Sequence, residues 1–351
     1  MAKTSLGLDI GSFSVKMVEI DVEDNRRKLK SFSIVDIYGE GEEYDLEGAS
    51  YNRLATALKT SFKQMKVSPK RIRSLNSALG GPAVAVKQIR SIPLSPEELE
   101  SSLAFEARKL LPLDDTEAIL DFQIIDGGAE TSFMDILLVA TTKKAFDHQI
   151  KLLEDVGVKP KLIDASSTAL VNSYLLTRGK PSGDAALVFL DVGARATTLT
   201  IFTDKNILFV RDIPIGGYKI TEDIKALKKL EYSEAERLKR DRGMGSLLGG
   251  DGSEEGQSIR VARRMAVDGM LDEIRRSLRY YTKETGVREF EKILLCGGSA
   301  AMPNLNSHMA QALSMTVEIY NPFDMFTVPP GFGEAAGAQL AVACGIALRE
   351  E

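Results

Sequence analysis

The chain has 351 residues, 44% of them apolar, with a formal net charge of −5, two cysteines and two histidines. That length and apolar content suit two packed lobes, and the acidic balance excludes a general nucleic-acid binder, which needs a basic face for phosphates. Cys296 and Cys344 are too few for a disulfide framework or a zinc site, and His148 and His308 leave little for metal-centre or serine-triad chemistry. The cysteines read as buried small residues in a reducing compartment and the histidines as surface residues. No window approaches the ~18 to 20 uncharged apolar residues of a membrane span, and the N-terminus lacks the apolar core of a signal peptide, so the expectation is a cytoplasmic protein without direct membrane insertion.

In chain order, Leu6 to Ile10 and Val15 to Ile20 alternate with period two around a polar turn, and Ser31 to Tyr38 adds a third strand. Tyr51 to Val67 has helical spacing through Leu54, Leu58, Phe62 and Met65; Ser74 to Leu79 and Val84 to Ile92 read as strands. The clearest helix start is "LSPEELE": Ser95 caps, Pro96 takes the first position, and Glu98 completes a capping box, giving a helix from Pro96 to Leu111. Strands at Ala118 to Ile125 and Phe133 to Thr141, joined by a turn at Gly127 and Gly128, precede a helix from Lys143 to Val156. Residues 81–156 thus read as a strand, helix, strand, strand, helix insertion into the first lobe. "RGMGSLLGGDGSEEGQS", residues 242–258, reads as a mobile loop, and residues 259–285 as an arginine-rich helix with most of its arginines solvated. "EIYNPFDMF", residues 318–326, reads as core.

The opening pattern occurs twice. "LGLDIGSFSVK", residues 6–16, and "LVFLDVGARATTLTIF", residues 187–202, each place an apolar strand before Asp-x-Gly, a small polar stretch and a second apolar strand. Repetition of this kind predicts two lobes of related fold with the two turns facing across a cleft. Glycine lets backbone amides approach an anion, Ser12 and Ser14 add hydroxyls, and Lys16 adds a point charge. Asp9 and Asp191 oppose phosphates unless a divalent cation lies between them, so magnesium held through its waters is implied. Each turn alone would read as an ordinary hairpin; the pair points to a phosphate chain. "KILLCGGSAAMPNL", residues 292–305, ends a buried-type strand in Gly297, Gly298 and Ser299, where a nucleoside can lie against bare backbone. There is no G-x-x-x-x-G-K-[ST] and no G-x-G-x-x-G after a strand, which excludes a P-loop and leaves a Rossmann site unsupported.

With these pieces in order, the chain resembles the actin and heat-shock ATPase superfamily: "LDIGSFSVK", a linking helix near "IDASSTAL", "LDVGARATT", "LLCGGSA" and "GEAAGAQLAVACGIA". Within it the chain is most similar to the PilM family of type IV pilus assembly, relatives of the cell-division protein FtsA. "VKQIRSIPLSPEELESSLAFEARKLLPLDDTEAILDF", "LLVATTKKAFDHQIKLLEDVGVKPKLIDASSTAL" and "RDIPIGGYKITEDI" carry that closer likeness. The resemblance implies an α/β, actin-like two-lobed fold of duplicated ribonuclease H-like lobes, each with a five-stranded mixed sheet, plus an FtsA/PilM-type inserted subdomain. The implied division is a first lobe over 1–80 and 157–185, the inserted subdomain over 81–156, a second lobe over 186–335 with a helical part at about 221–287, and a closing helix over 336–351.

Carried over residue by residue, the resemblance assigns phosphates and the metal's water shell to Asp9, Gly11, Ser12, Ser14 and Lys16, and to Asp191, Gly193 and Thr197. Gly216 and Gly217, with Gly297, Gly298 and Ser299, would frame ribose and adenine. Glu236 and Lys239, one helical turn apart, would reach the ribose or base, or else form an exposed ion-pair face. Actin-like hydrolases offer a Glu or Gln from the linking helix to orient water; here the turn reads Asp164, Ala165, Ser166, Ser167, so Asp164 is the one candidate catalytic residue and slow or absent hydrolysis is expected. The implied ligands are ATP and Mg2+. The implied partner is the N-terminal cytoplasmic peptide of PilN, seated between the inserted subdomain and the first lobe, with the motor ATPases PilB and PilT, PilC, and self-association into rings or filaments as further contacts. The alternatives are an FtsA-like filament protein, which should carry an amphipathic C-terminal helix where this sequence reads "GIALREE", and a GspL-like secretion adaptor, which continues into a membrane span. A sugar or acetate kinase would need a substrate carboxylate and a roomier second domain.

Overall fold

The computed structural model describes residues 3–23, 26–39, 42–72, 74–112, 117–127, 132–181, 183, 185–204, 208–247 and 265–349. The first lobe opens with the expected meander, β1 (Lys3–Ile10), β2 (Ser14–Glu23) and β3 (Arg26–Asp36). Alternation buries Leu6, Leu8, Val15 and Met17 beneath α1 (Tyr51–Gln64), whose Leu58 and Phe62 supply the i, i+4 face. β4 (Leu75–Leu79) then runs parallel to β1.

β5 (Val84–Ser91), α2 (Pro96–Leu110), β6 (Ala118–Gly127), β7 (Met134–Thr142) and α3 (Lys143–Asp155) follow. The capping box of α2 forms as the sequence specifies: Ser95 Oγ accepts from the Glu98 amide and Glu98 Oε2 accepts from the Ser95 amide at 3.0 Å. Leu99, Leu103 and Ala107 of α2 pack on Met134, Ile136, Leu138 and Ala140 of β7, a small core of its own. α3, in contrast, buries Leu152 and Leu153 in the first-lobe core, and its Gln149 Nε2 donates to Ser77 Oγ (2.8 Å) and Ala78 O (3.0 Å) on β4. β8 (Leu162–Ala165) completes a first sheet of order β3-β2-β1-β4-β8, and α4 (Ser166–Arg178) leads out of the lobe.

The second lobe repeats this plan with β9 (Ala186–Val192), β10 (Thr197–Phe202), β11 (Phe209–Ile213), β12 (Phe290–Cys296) and β13 (Val317–Ile319). β9 pairs antiparallel with β10 and parallel with β12, as β1 pairs with β2 and β4. In one respect the sheet differs from the expectation of two separate five-stranded sheets. Among the described residues it has eight strands, β13-β12-β9-β10-β11-β5-β7-β6, because the open edge of β11 meets β5 where Phe209 faces Lys87. The subdomain inserted in the sequence of the first lobe thus extends the sheet of the second, covering an edge that would otherwise lie open.

Between β11 and β12 lie α5 (Gly217–Lys228), α6 (Tyr232–Arg242), the single turn α7 (Met244–Leu247) and α8 (Ala266–Thr285). α8 buries a stripe through Val267, Met270, Leu271, Ile274, Leu278 and Tyr281, while Arg275 and Arg276 pair with Asp272 and Glu273 on its outer side. The start of the stretch expected to be a loop is packed instead: Met244 and Leu247 are buried in the second-lobe core. The remainder of that stretch, the start of the arginine-rich helix and the turn residue Gly128 lie outside the described residues. α9 (Leu305–Leu313), α10 (Glu334–Gln339) and α11 (Ala341–Leu348) finish the chain. α11 is buried along its length and lies across β1, β2 and α4; against β2, its Ala343, Cys344 and Ala347, with Leu340 just before it, join Val18 and Ile20 in one cluster. Tyr320, Phe323 and Phe326 are buried as expected, as are both cysteines; His148 is exposed and His308 half-buried. No helix among the described residues is long and apolar enough to cross a membrane.

Candidate functional site

A cleft of about 1180 Å³ runs between the lobes, lined by both Asp-x-Gly turns. At its floor the Lys16 ammonium donates to Asp9 Oδ2 at 3.0 Å. The pair exists because Asp9 and Lys16 sit opposite each other in the β1–β2 register, at the end of one strand and the start of the next. Burial opposes the Lys16 charge, but Asp9, with Asp191 and Asp36 beyond it, outweighs burial and holds the lysine pKa above its ordinary value. Asp191 lies near the end of β9 at the position equivalent to Asp9. Burial first, and then the like charge of Asp9, push its carboxyl up to about 6. Two carboxylates thus converge on one ammonium.

Gly11, Ser12, Ser14, Gly193, Gly217, Glu236, Lys239, Gly297, Gly298 and Ser299 all line the same cleft. The amides of Ser12, Phe13, Ala194 and Arg195 at the turn tips enter no backbone hydrogen bond among the described residues. Such open turn amides suit an anion. Gly297 is glycine for two reasons: its φ is +89°, and a Cβ there would stand 2.2 Å from Asp191 Oδ1. Gly216 is buried behind the lining, packed against the β9–β10 turn at the start of α5.

Glu236 and Lys239 do not form an exposed ion-pair face. Lys239 is buried, and its three protons go to Gly217 O (3.1 Å), Thr221 Oγ1 (2.8 Å) and Glu236 Oε2 (2.6 Å). Burial holds the Lys239 pKa below the usual lysine value despite the carboxylate beside it. The network pins the first turn of α5 to α6 and so fixes the glycine wall of the cleft. The Glu236 carboxylate also accepts from Arg240 Nε at 2.9 Å.

Besides Gly216, two expected site residues lie off the cleft wall. Thr197 faces the second-lobe core, donating to Ile215 O at 2.7 Å; the next residue, Thr198, is the one on the cleft wall, because neighbours in a strand point to opposite faces. Asp164 does not line the cleft. Its Oδ1 accepts from the Ala165 amide (2.8 Å) and Thr168 Oγ1 (2.7 Å), and Oδ2 pairs with Arg349 at 2.9 Å, so it ties the start of α4 to the residue after α11. Ser166 lines the cleft from that helix start, its hydroxyl given to Leu79 O at 3.1 Å. Asp164→Ala should therefore cost about 1–3 kcal/mol of stability in urea titrations and leave nucleotide affinity unchanged; a selective loss of ATP turnover without loss of stability would restore the catalytic assignment.

The lobes also touch across the mouth. Tyr44 packs on Tyr218 of α5 with centroids 5.3 Å apart, Lys225 pairs with Glu43 at 3.2 Å, and the Arg240 guanidinium lies over the Phe13 ring at 5.9 Å.

Residues 7–351 match the family model of the type IV pilus assembly protein PilM. The chain belongs to the PilM family. Among curated proteins, the cell division protein FtsA of Bacillus subtilis is 23% identical over 199 residues, covering 53% of this chain and 44% of that one. FtsA of Streptococcus pneumoniae is 23% identical over 364 residues, 93% of this chain and 77% of that one. Against the Bacillus subtilis and Agrobacterium fabrum proteins this chain spans 44% and 51% of their length, about half. A chain of the PilM–PilN type IV pilus biogenesis complex superposes with a TM-score of 0.78 at 25% identity, over 98% of this PilM-family chain and 97% of that one. MreB5 of Spiroplasma citri bound to ADP gives 0.50 at 12% identity over 98% and 94% of the two chains, a likeness of fold alone. The fold is therefore the actin-like α/β fold in its PilM form.

Proposed function

We propose that this PilM-family chain is a cytoplasmic, ATP-binding adaptor of the type IV pilus assembly platform that binds the N-terminal tail of PilN. The observation that carries the nucleotide half is the pair of equivalent turns meeting at Lys16 on the floor of a cleft with a glycine wall. The partner half is supported by the likeness, over almost the whole chain, to the PilM–PilN complex. The same family reading proposes placement at the inner membrane through partners, contacts with PilB, PilT and PilC, and self-association.

Magnesium fits the donor set. Asp9 and Asp191 outnumber the one ammonium between them, and no cluster of three or more metal-ligating side chains occurs among the described residues. The two carboxylates would hold the cation through its water shell, where it neutralises phosphate charge. Gly11, Ser12, Ser14 and Gly193 would bind the phosphate chain, and the glycines at 217, 297 and 298 with Ser299, Glu236 and Lys239 would shape the nucleoside end. With Ser166, rather than a carboxylate or amide, at the start of the linking helix, that position supplies no base, a contribution worth ~10²- to 10⁴-fold. ATP then acts as a structural or switching ligand that is turned over slowly.

The test is a calorimetric titration of the full chain with the N-terminal peptide of the PilN encoded in its own genome, with ATP, with ADP and with neither. Saturable binding that depends on nucleotide is expected. No heat in any of the three conditions overturns the adaptor reading.

A further inference from the structure

Four cations besides Lys16 line the cleft: Lys144, Arg195, Lys239 and Arg240. Lys16 is committed to Asp9, Lys239 to three acceptors on α5 and α6, and Arg240 to Glu236 while it covers Phe13. Arg195 differs from these. It sits at the tip of the second Asp-x-Gly turn, between Ala194 and Ala196, both of which also line the cleft, and its exposed side chain has no ion pair or hydrogen bond among the described residues. Lys144, the other lining cation without a pair among the described residues, lies on α3, outside the two turns.

The electrostatics of the floor give this a meaning. Two carboxylates face one ammonium there: Lys16 is taken by Asp9 at 3.0 Å, and Asp191, at the equivalent position of the second turn, lines the same floor. A polyphosphate entering that floor needs positive charge beyond Lys16, even when a divalent cation accompanies it. A guanidinium can supply that charge: it stays protonated, it offers a planar fork of donors to phosphate oxygens, and at an exposed turn tip it reaches a ligand without breaking an existing bond.

We propose that Arg195 is a phosphate-binding residue of the cleft, a side-chain clamp supplied by the second turn in addition to the turn's backbone amides. The inference rests on the nucleotide reading above. Because the clamp acts on charge, its contribution grows with the number of phosphates: largest for ATP, smaller for ADP, absent for adenosine.

The experiment compares the full-length chain with Arg195→Gln and Arg195→Lys by titration with ATP, ADP and adenosine in the presence of magnesium, at low and at physiological salt. Arg195→Gln should weaken ATP about 10- to 100-fold, the range for hydrogen bonds to charged groups, weaken ADP less, and leave adenosine unchanged. Arg195→Lys should recover part of the ATP loss, since it keeps the charge and loses the fork. Thermal melting of the nucleotide-free variants should match the parent, because among the described residues the side chain has no partner to lose. Equal losses for all three ligands, or no loss for any, overturn the clamp while the nucleotide site stands. A parent chain that binds neither ATP nor ADP overturns the nucleotide reading and the clamp together.

Discussion

Asp191→Asn should stabilise the nucleotide-free chain at neutral pH and abolish its further stabilisation by ATP with magnesium. The carboxyl titrates near 6 in the folded chain against an ordinary 3.8, raised by burial and by Asp9. As pH rises from 4 the unfolded chain therefore releases this proton first, and folded stability from this group is lost between about pH 4 and pH 6. The whole loss is about 3 kcal/mol at 1.36 kcal/mol per unit. An isosteric amide removes the penalty, so the advantage of Asn over Asp should be near zero at pH 4 and full above pH 6. Asp9→Ala should do the opposite to stability, since it leaves the buried Lys16 ammonium without its 3.0 Å partner. Removing one member of a buried pair costs ~3–5 kcal/mol; here the cost is smaller because Asp191 still faces the lysine. Thermal melts across pH, with and without ATP and magnesium, read both effects. The two variants should shift the nucleotide-free melt in opposite directions and share the loss of ligand response; an undiminished response to ATP in both would remove the paired turns from the nucleotide site.

Gly7→Val should be the most destabilising single substitution in the first lobe. Gly7 lies mid-strand in β1, and a Cβ there would stand 2.0 Å from Ala343 O and 2.6 Å from Ala347 N of α11. Both obstacles are backbone of a helix buried on all sides, so neither can yield as a flexible side chain would. Ordinary overpacking costs ~1–3 kcal/mol; displacing the whole of α11 should exceed it, with about 4 kcal/mol or more lost in urea titrations. Gly7→Ala should lose less in the same direction. Because Ala341 and Val342 of α11 line the cleft, nucleotide affinity should fall alongside. A Gly7→Val chain within about 1 kcal/mol of the parent, the ordinary range of a tolerated substitution, would show that α11 is not seated against β1 as described.

The turns that hold Asp9 and Asp191 are legible in the sequence, as is the capping box at Ser95, because period-two alternation, Asp-x-Gly and S-x-x-E are signals spanning only a few residues. The duplication is legible for the same reason, since a local pattern simply occurs twice. Tertiary structure alone decided the rest. It set Thr198 rather than Thr197 on the cleft wall, since which face of β10 is buried depends on the helices laid against it. It turned Asp164 from a candidate base into the partner of Arg349, a residue from the far end of the chain. It joined β5 to β11, so that a segment inserted into one lobe extends the sheet of the other. It left Arg195 as the cation of the two turns with no partner among the described residues, which follows only once the acceptors of Lys16, Lys239 and Arg240 are known. Local patterning determines which residues form strands, turns and caps, while the pairing of charges and of sheet edges is a competition among groups distant in sequence, decided by where packing places them.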